Sequence, residues 1–360
     1  MLQYTLYIII AIILFGVLIA VHEFGHFITA KLLGVKVNEF AIGMGPLLLH
    51  KTKGETEYSL RLLPIGGFCA MEGEDEATDD PRSFACQKAW KKFIILVAGS
   101  FMNFVAGLLI ILLLFSQAKG FYTPTITEFM DGAGHLVESG LQEGDQFYRI
   151  DGHRIYFMSD VSMFLSRAED HVMDVEVLRD GKRVLLKDFD FTPRVPVTDE
   201  QGQTTYMRGF YYGEVEQATL GGILRNTWYQ AVDYVRLVWI SLGDLITGAA
   251  GLRDLSGPIG IVDAVGDVGA SAQSTAEGLL SVLNFMALIA INLSVMNLLP
   301  IPALDGGRLF FLIVGGLFLL IFKRKLDPKY ENWVNAAGFF LLMALMVVVA
   351  VSDVLKLAGV

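Results

Sequence analysis

Residues 4–26 read YTLYIIIAIILFGVLIAVHEFGH, an uncharged run from Tyr4 to Val21 followed at once by His22-Glu23-Phe24-Gly25-His26. The run is long enough for a helix that crosses a bilayer, which takes about 18 or more mainly apolar residues. Ionisable groups at membrane depth need partners or a wet cavity, so they point to function. On a helix, positions 22 and 26 lie one turn apart on one face, about 6 Å along the axis, and both imidazoles can reach one metal ion. Glu23 projects beside them, where it can take a proton from a water that the metal acidifies. This is the pattern of a hydrolase site. The plainer reading, polar residues that merely end a span, leaves three ionisable groups without partners. No Lys or Arg precedes the run and no small-residue cleavage site ends it, so a retained helix is expected rather than a signal peptide.

Three more apolar runs follow, Phe93 to Phe115, Gly278 to Leu299 and Val334 to Val351. Across the 360 residues, charged residues are 18% and hydrophobic residues 53%, against about 25% charged in a typical soluble domain. Mean hydropathy is +0.51. A polytopic protein embedded in a lipid bilayer is expected, with about four transmembrane helices. Net charge is −10, from 28 Lys and Arg against 38 Asp and Glu, so the basic field that nucleic-acid binding relies on is missing and no nucleic-acid partner is expected. Cys69 and Cys86 are too few for a disulfide scaffold and read as free thiols.

Positive residues near span ends mark the cytoplasmic side. Residues 31–92 carry nine, including Lys31, Lys36, Lys88, Lys91 and Lys92, and Arg308, Lys323, Arg324, Lys325 and Lys329 follow the third span. Both segments are therefore expected in the cytoplasm, with both termini extracytoplasmic in a cell membrane. Leu309 to Phe322 is too short to count as a span and reads as re-entrant or interfacial. Leu220 to Ile246 is longer, but Arg225, Asp233, Arg236 and four Trp or Tyr residues suit an amphipathic helix on the outer surface.

Between Phe121 and about Phe191, short alternating runs with Gly-rich turns indicate a small β-rich domain. Met173, Val175 and Val177 precede Asp180-Gly181 and Val184 and Leu186 follow it, which predicts a type I′ hairpin. Asp151-Gly152 marks another turn, and Ser159 is expected to cap a short helix through Ser166. The run Gly140-Leu141-Gln142-Glu143-Gly144-Asp145 resembles the GL-x-x-GD stretch of PDZ domains, which bind extended chain ends by strand addition.

Catalytic zinc keeps three protein ligands and one open position. The topology nominates Asp305 as the third, because spans one and three run the same way and His22, His26 and Asp305 each follow roughly 20 apolar residues. Pro300 and Pro302 break the helix before Asp305, and broken backbone at membrane depth is tolerated only when buried in protein or lining a cavity. A substrate span must unwind before attack. Tyr58 to Leu62 and Phe68 to Met71 are predicted to pair around a Pro64 to Gly67 turn, with an edge that could add the substrate as a strand. The acidic run from Glu72 to Asp80 reads as a solvated loop.

The His22 to His26 motif, the N-x-x-P-x-P-x-L-D-G stretch from Asn297 to Gly306 and the PDZ-like insert closely resemble the site-2 protease family of intramembrane zinc metalloproteases, in its bacterial regulator-of-sigma-E protease type. Gly43-Met44-Gly45-Pro46, Leu62 to Phe68, Gly99 with Asn103, and Leu255-Ser256-Gly257-Pro258 extend the likeness over nearly the whole chain. Some members carry tandem PDZ domains, whereas this chain has room for one. The resemblance implies zinc held by His22, His26 and Asp305, Glu23 as general base and acid, and a membrane-associated β loop. It implies substrate contacts for Asn297, which could hold the substrate or polarise its carbonyl, and for Asn103. An interhelical hydrogen bond is the plainer role for Asn297, as for Asn284 and Asn292 on the same span. The expected substrates are single-span membrane proteins, namely trimmed anti-sigma factors or signal-peptide remnants.

The expected segments are a membrane core over 1–118 with the HExxH helix, cytoplasmic β loop and second span; a PDZ-like domain over 119–195; an extracytoplasmic connector with an amphipathic helix over 196–276; and a second membrane core over 277–360. A non-catalytic PDZ scaffold with structural zinc is the main alternative, although structural zinc needs no adjacent general base. A metal transporter would be expected to show inverted repeats with paired ion sites, and the sequence has neither.

Overall fold

A computed structural model describes residues 2–74, 78–167, 171–192, 194–198, 204–251, 255–324 and 328–357. The chain divides into two units, Met1–Leu114 with Ala231–Val360, and Phe115–Gln230. In the first, α1 (Leu2–Leu32) is about 46 Å long at 1.5 Å per residue, so it outruns a hydrocarbon core of about 30 Å and leads into a β element.

That element is built from β1 (Val37–Lys53) and β2 (Thr56–Met71). Leu49 to Lys53 pair with Leu60 to Thr56 around Gly54, whose φ of 65° suits glycine. Phe40 and Ala41 lie opposite Tyr58 and Ser59 on one side and opposite Cys69 and Phe68 on the other. The segments are therefore ordered 47–53, 56–61, 37–42, 67–71, with the last at an edge. The expected direct pairing of Tyr58–Leu62 with Phe68–Met71 does not occur, because β1 runs between them. Packing explains the insertion. Phe40 packs against Phe27 of α1 with the rings tilted, at 5.0 Å between centroids, and reaches Tyr58 at 6.5 Å, in a cluster with Val37, Cys69, Met71 and Ile95. The lysine-rich stretch 85–92 leads into α2 (Ala89–Phe115).

In the second unit, β3 (Gly120–Phe129), β4 (Gln146–Ile150), β6 (Val172–Arg179), β7 (Lys182–Asp190) and β10 (Phe210–Gln217) form an antiparallel sheet in the order β10-β3-β4-β6-β7, with β5 (His153–Arg154) beside β4. Helices α3 (Gly134–Glu138) and α4 (Met158–Arg167) and the hairpin β8 (Val195–Thr198) with β9 (Thr204–Met207) complete it. Asp180 and Gly181 have φ of 50° and 74°, and Asp151 and Gly152 46° and 76°, as type I′ turns require. Ser159 lies inside α4. Asp160 in its first turn reaches back instead, accepting the N–H groups of Tyr156 and Phe157 just before the helix at 2.7 and 3.1 Å. In the GL-x-x-GD stretch, fully buried Asp145 takes two 2.7 Å bonds from Arg179.

The remaining helices are α5 (Leu220–Thr247), which belongs to the first unit from Ala231 on, and α6 (Pro258–Ala270), α7 (Thr275–Met296), α8 (Asp305–Phe322) and α9 (Pro328–Leu357) of the first unit. Among the described residues, five helical stretches are long and apolar enough to cross a membrane: Gln3–Leu32, Ala89–Phe115, Thr275–Met296, Asp305–Phe322 and Trp333–Lys356. The fifth, beyond the four expected, is α8. It begins at Asp305 rather than Leu309, and those residues bring it to a spanning length. Lys325 lies outside the described residues, as do residues 75–77 of the acidic run. α5 is not among the five. Its Trp228 and Trp239 are exposed while Ala231, Tyr234 and Val238 are buried.

Helix direction follows from close contacts. Tyr7 of α1 donates to Thr275 O at 3.3 Å, and a Cβ at Gly266, Gly269 or Gly278 would collide with Tyr4 or Tyr7. Small residues thus let α1, α6 and α7 approach, the usual device where lipid removes the hydrophobic drive between helices. α1 and α7 start together and run in parallel. α9 runs the other way. Gly338 meets Pro302 near its start, and near its end Asp353 accepts the N–H groups of Gly257 and Gly260 at 3.0 and 2.9 Å.

Cys69 is buried in the edge segment 67–71 and Cys86 is exposed. Burial, aided by the charge of Glu23, pushes the Cys69 thiol well above its ordinary range, and only the thiolate reacts readily. Maleimide labelling in detergent should modify Cys86 alone until the protein is denatured. Equal rates at both thiols would contradict this packing.

Candidate metal centre

His22 and His26 sit on the face of α1 that meets α2, and both are buried. Their Nε2 atoms are 3.2 Å apart, and Asp305 Oδ2 lies 3.1 Å from His22 Nε2 and 3.2 Å from His26 Nε2. Among the described residues this is the one group of three or more potential ligands gathered closely enough to hold an ion. The triangle fits zinc. Nitrogen and oxygen ligands at about 2.0–2.1 Å, separated by the tetrahedral angle, lie about 3.3–3.4 Å apart. Asp305, 279 residues beyond His26, is therefore brought to one point with the two sequence-predicted histidines.

The loop that delivers Asp305 explains its own sequence. Asn297 caps α7, donating its N–H to Leu293 O, and its carbonyl accepts the N–H of Gly306 at 2.7 Å, which closes the loop 297–306. A Cβ at Gly306 would lie 2.1 Å from Leu299 O, and one at Gly307 2.5 Å from Ile301 O. Two glycines are thus needed where α8 starts against the loop. Asp305 occupies the first turn of α8, where the helix dipole favours a negative charge. The Asn297 side chain makes no hydrogen bond among the described residues, so its main chain is what shapes the loop. Asn284 behaves differently, accepting the Tyr234 hydroxyl at 3.0 Å.

α2 supplies the wall behind the imidazoles. His26 Nδ1 lies 2.8 Å from Ile95 O, and the amide of Asn103 lies 3.4 Å from His22 Nδ1. A Cβ at Gly99 would stand 2.3 Å from His26 Nε2 and 2.7 Å from His22 Cε1. Residues 95, 99 and 103 form one stripe at four-residue spacing. Glu23 faces the edge of the β element, since a Cβ at Gly67 would lie 3.5 Å from its Cγ. Sequence reasoning missed one neighbour. Glu74, assigned to a solvated loop, is mostly buried and pairs with Arg308 of α8, one turn after Asp305. The spacing of Arg308 from Asp305 was the only available signal, and it named no partner.

The sequence profile of peptidase family M50 matches residues 10–345, and the chain belongs to that family, the site-2 proteases. A relative from Clostridium perfringens (strain 13 / Type A), named as a candidate zinc metalloprotease, is 38% identical over 351 residues, covering 97% of this chain and 99% of its own length. Similarly named relatives from Clostridium acetobutylicum and Fusobacterium nucleatum are 35% and 32% identical, covering 96% and 97% of this chain and 97% and 98% of their own. The chain is a zinc metalloprotease.

Gly99→Ala should displace an imidazole and lower bound zinc by about tenfold or more, in the range seen when a ligand's surroundings are disturbed. Gly315→Ala, with nothing within 4 Å of the added carbon, should leave zinc content unchanged. Metal analysis of the purified proteins reads both.

Proposed function

We propose that this family M50 member hydrolyses peptide bonds within or near the transmembrane segment of single-span membrane proteins, as a step in regulated intramembrane proteolysis. The depth of the metal centre carries this reading. His22 follows about 30 Å of unbroken apolar helix, and Asp305 meets it just beyond the end of α7. A peptide bond reaches that depth most readily in a chain that already lies in the membrane. Anti-sigma-factor-like proteins shortened outside the bilayer, or signal-peptide remnants, are the substrates the family resemblance suggests.

Zinc, when bound, supplies a Lewis acid that polarises the scissile carbonyl and lowers the pKa of water. Glu23 takes a proton from the attacking water and returns it to the departing amine nitrogen as the carbon–nitrogen bond breaks. His22, His26 and Asp305 hold the metal, and Asn297 holds the substrate or polarises its carbonyl. Three protein ligands leave a tetrahedral position open, which favours a hydrolase over a scaffold with structural zinc. The substrate, unwound, adds as a strand to the edge 67–71 beside Glu23. The PDZ-like insert screens out bulky ectodomains before they reach the centre.

The metal centre faces the cytoplasmic side and both termini lie outside. Helix lengths support this. Pro328 precedes Asn335 by about 10 Å of rise, and Asn335 Oδ1 accepts the Ala303 N–H at 3.5 Å, beside Asp305. Were α8 to climb its full length of about 27 Å alongside α9, Phe322 would stand about 37 Å from Pro328. Six chain steps reach about 20 Å. The end of α8 therefore stays on the side of the metal centre, and Lys323 and Arg324 there support a cytoplasmic side.

Purified protein in detergent should cleave a single-span substrate, and Glu23→Gln should slow cleavage by about 10²–10⁴-fold while zinc content holds. Equal cleavage by wild type and Glu23→Gln would overturn the assignment of the base, and no wild-type cleavage across a panel of spans would favour the scaffold. A membrane-impermeant maleimide should reach Cys86 in inverted vesicles and not in intact cells. The opposite pattern would reverse the topology.

A further inference from the structure

A histidine that binds metal through Nε2 must carry its proton on Nδ1, and a hydrogen-bond acceptor there fixes both tautomer and ring orientation. Both Nε2 atoms point at Asp305 Oδ2. For His26 the acceptor is plain, since the carbonyl of Ile95 lies 2.8 Å from Nδ1. For His22 the group in the matching place is Asn103, with Nδ2 3.4 Å from Nδ1. In that orientation two donors face each other, and Asn103 Oδ1 is buried without a partner. The two ends of an amide have nearly the same shape. Turning it by 180° brings Oδ1 to the Nδ1–H of His22, which gives the buried oxygen a donor and removes the donor–donor contact, while the N–H₂ takes the place the oxygen held.

We infer that Asn103 is a positioning residue that accepts the Nδ1–H of His22 through Oδ1 and so presents Nε2 to zinc. α2 then does for both histidines what neither can do for itself, through a carbonyl at 95 and an amide oxygen at 103, with Gly99 between them giving the rings room. At 1% exposure Asn103 is sealed behind His22, and this role replaces the substrate contact expected from the resemblance. The inference rests on zinc binding by His22 and concerns how that ligand is held.

The test is zinc affinity of the full-length protein in detergent, by competition with a chromophoric chelator, for wild type, Asn103→Asp and Asn103→Leu. Cobalt-substituted spectra report the ligand field alongside. Asn103→Asp keeps an acceptor and should bind zinc at least as tightly as wild type. Asn103→Leu removes it and should weaken binding by about 10–100-fold, with an altered cobalt d–d band. The metal-free forms should unfold at the same temperature if the Leu variant folds. If it does not, the Asp variant decides alone, because a tenfold loss there would mean that the amide N–H₂, not the oxygen, is used. Wild-type affinity and spectrum in a folded Leu variant would also overturn the role. Wild-type protein that binds no zinc would instead defeat the metal centre itself, so the two failures are distinguishable.

Discussion

Two imidazoles and a carboxylate held within 3.2 Å of one another at the end of apolar helices are the constraint on which this structure depends. Ionisable groups at such depth are expensive unless paired, and each has a partner from a different part of the chain. Asp305 comes on a loop whose prolines and glycines suit no other conformation. Ile95 and Asn103 come from α2, which packs flush only because residue 99 is glycine. Two packed clusters bracket the centre. Tyr7, Ala11 and Leu18 join α6 and α7 on one side, and Phe27 and Ala30 join the β element on the other.

The same arrangement gives the β element its place. Its edge segment passes close to Glu23 at Gly67, and the chain just beyond it is tied to the first turn of α8 by Glu74 and Arg308. The strand edge, Glu23 and the start of α8 at Asp305 therefore belong to one packed body. At the opposite end of the helices, Asp353 takes two N–H groups at the start of α6, so the α6 terminus finds its capping carboxylate on α9 rather than in its own sequence.

Much of this was legible from local rules. Uninterrupted apolar runs marked α1, α2, α7 and α9, because a bilayer demands length and an absence of charge from any helix that crosses it. Asp-Gly pairs placed both tight turns of the sheet, because only residues that accept positive φ fit there. Elsewhere the local rule lost to a competitor. Ser159 yielded to Asp160, whose carboxylate gathers two N–H groups. The apolar stretch Leu309 to Phe322 is too short to span by itself, yet packing against the loop makes Asp305 to Arg308 helical as well.

The sequence by itself determined the chemistry. An H-E-x-x-H pattern at the end of an apolar helix, and an aspartate after two helix-breaking prolines, are the residue types a zinc metalloprotease needs. Only the tertiary structure decided what surrounds them: which carbonyl and which amide stand behind the histidines, that β1 runs between the two halves of β2, and that an acidic loop residue pairs with Arg308. The physical reason is range. Helix periodicity, turn chemistry and bilayer length act over a few residues or along one segment, whereas the partner of a buried polar atom is set by whichever distant segment packs against it.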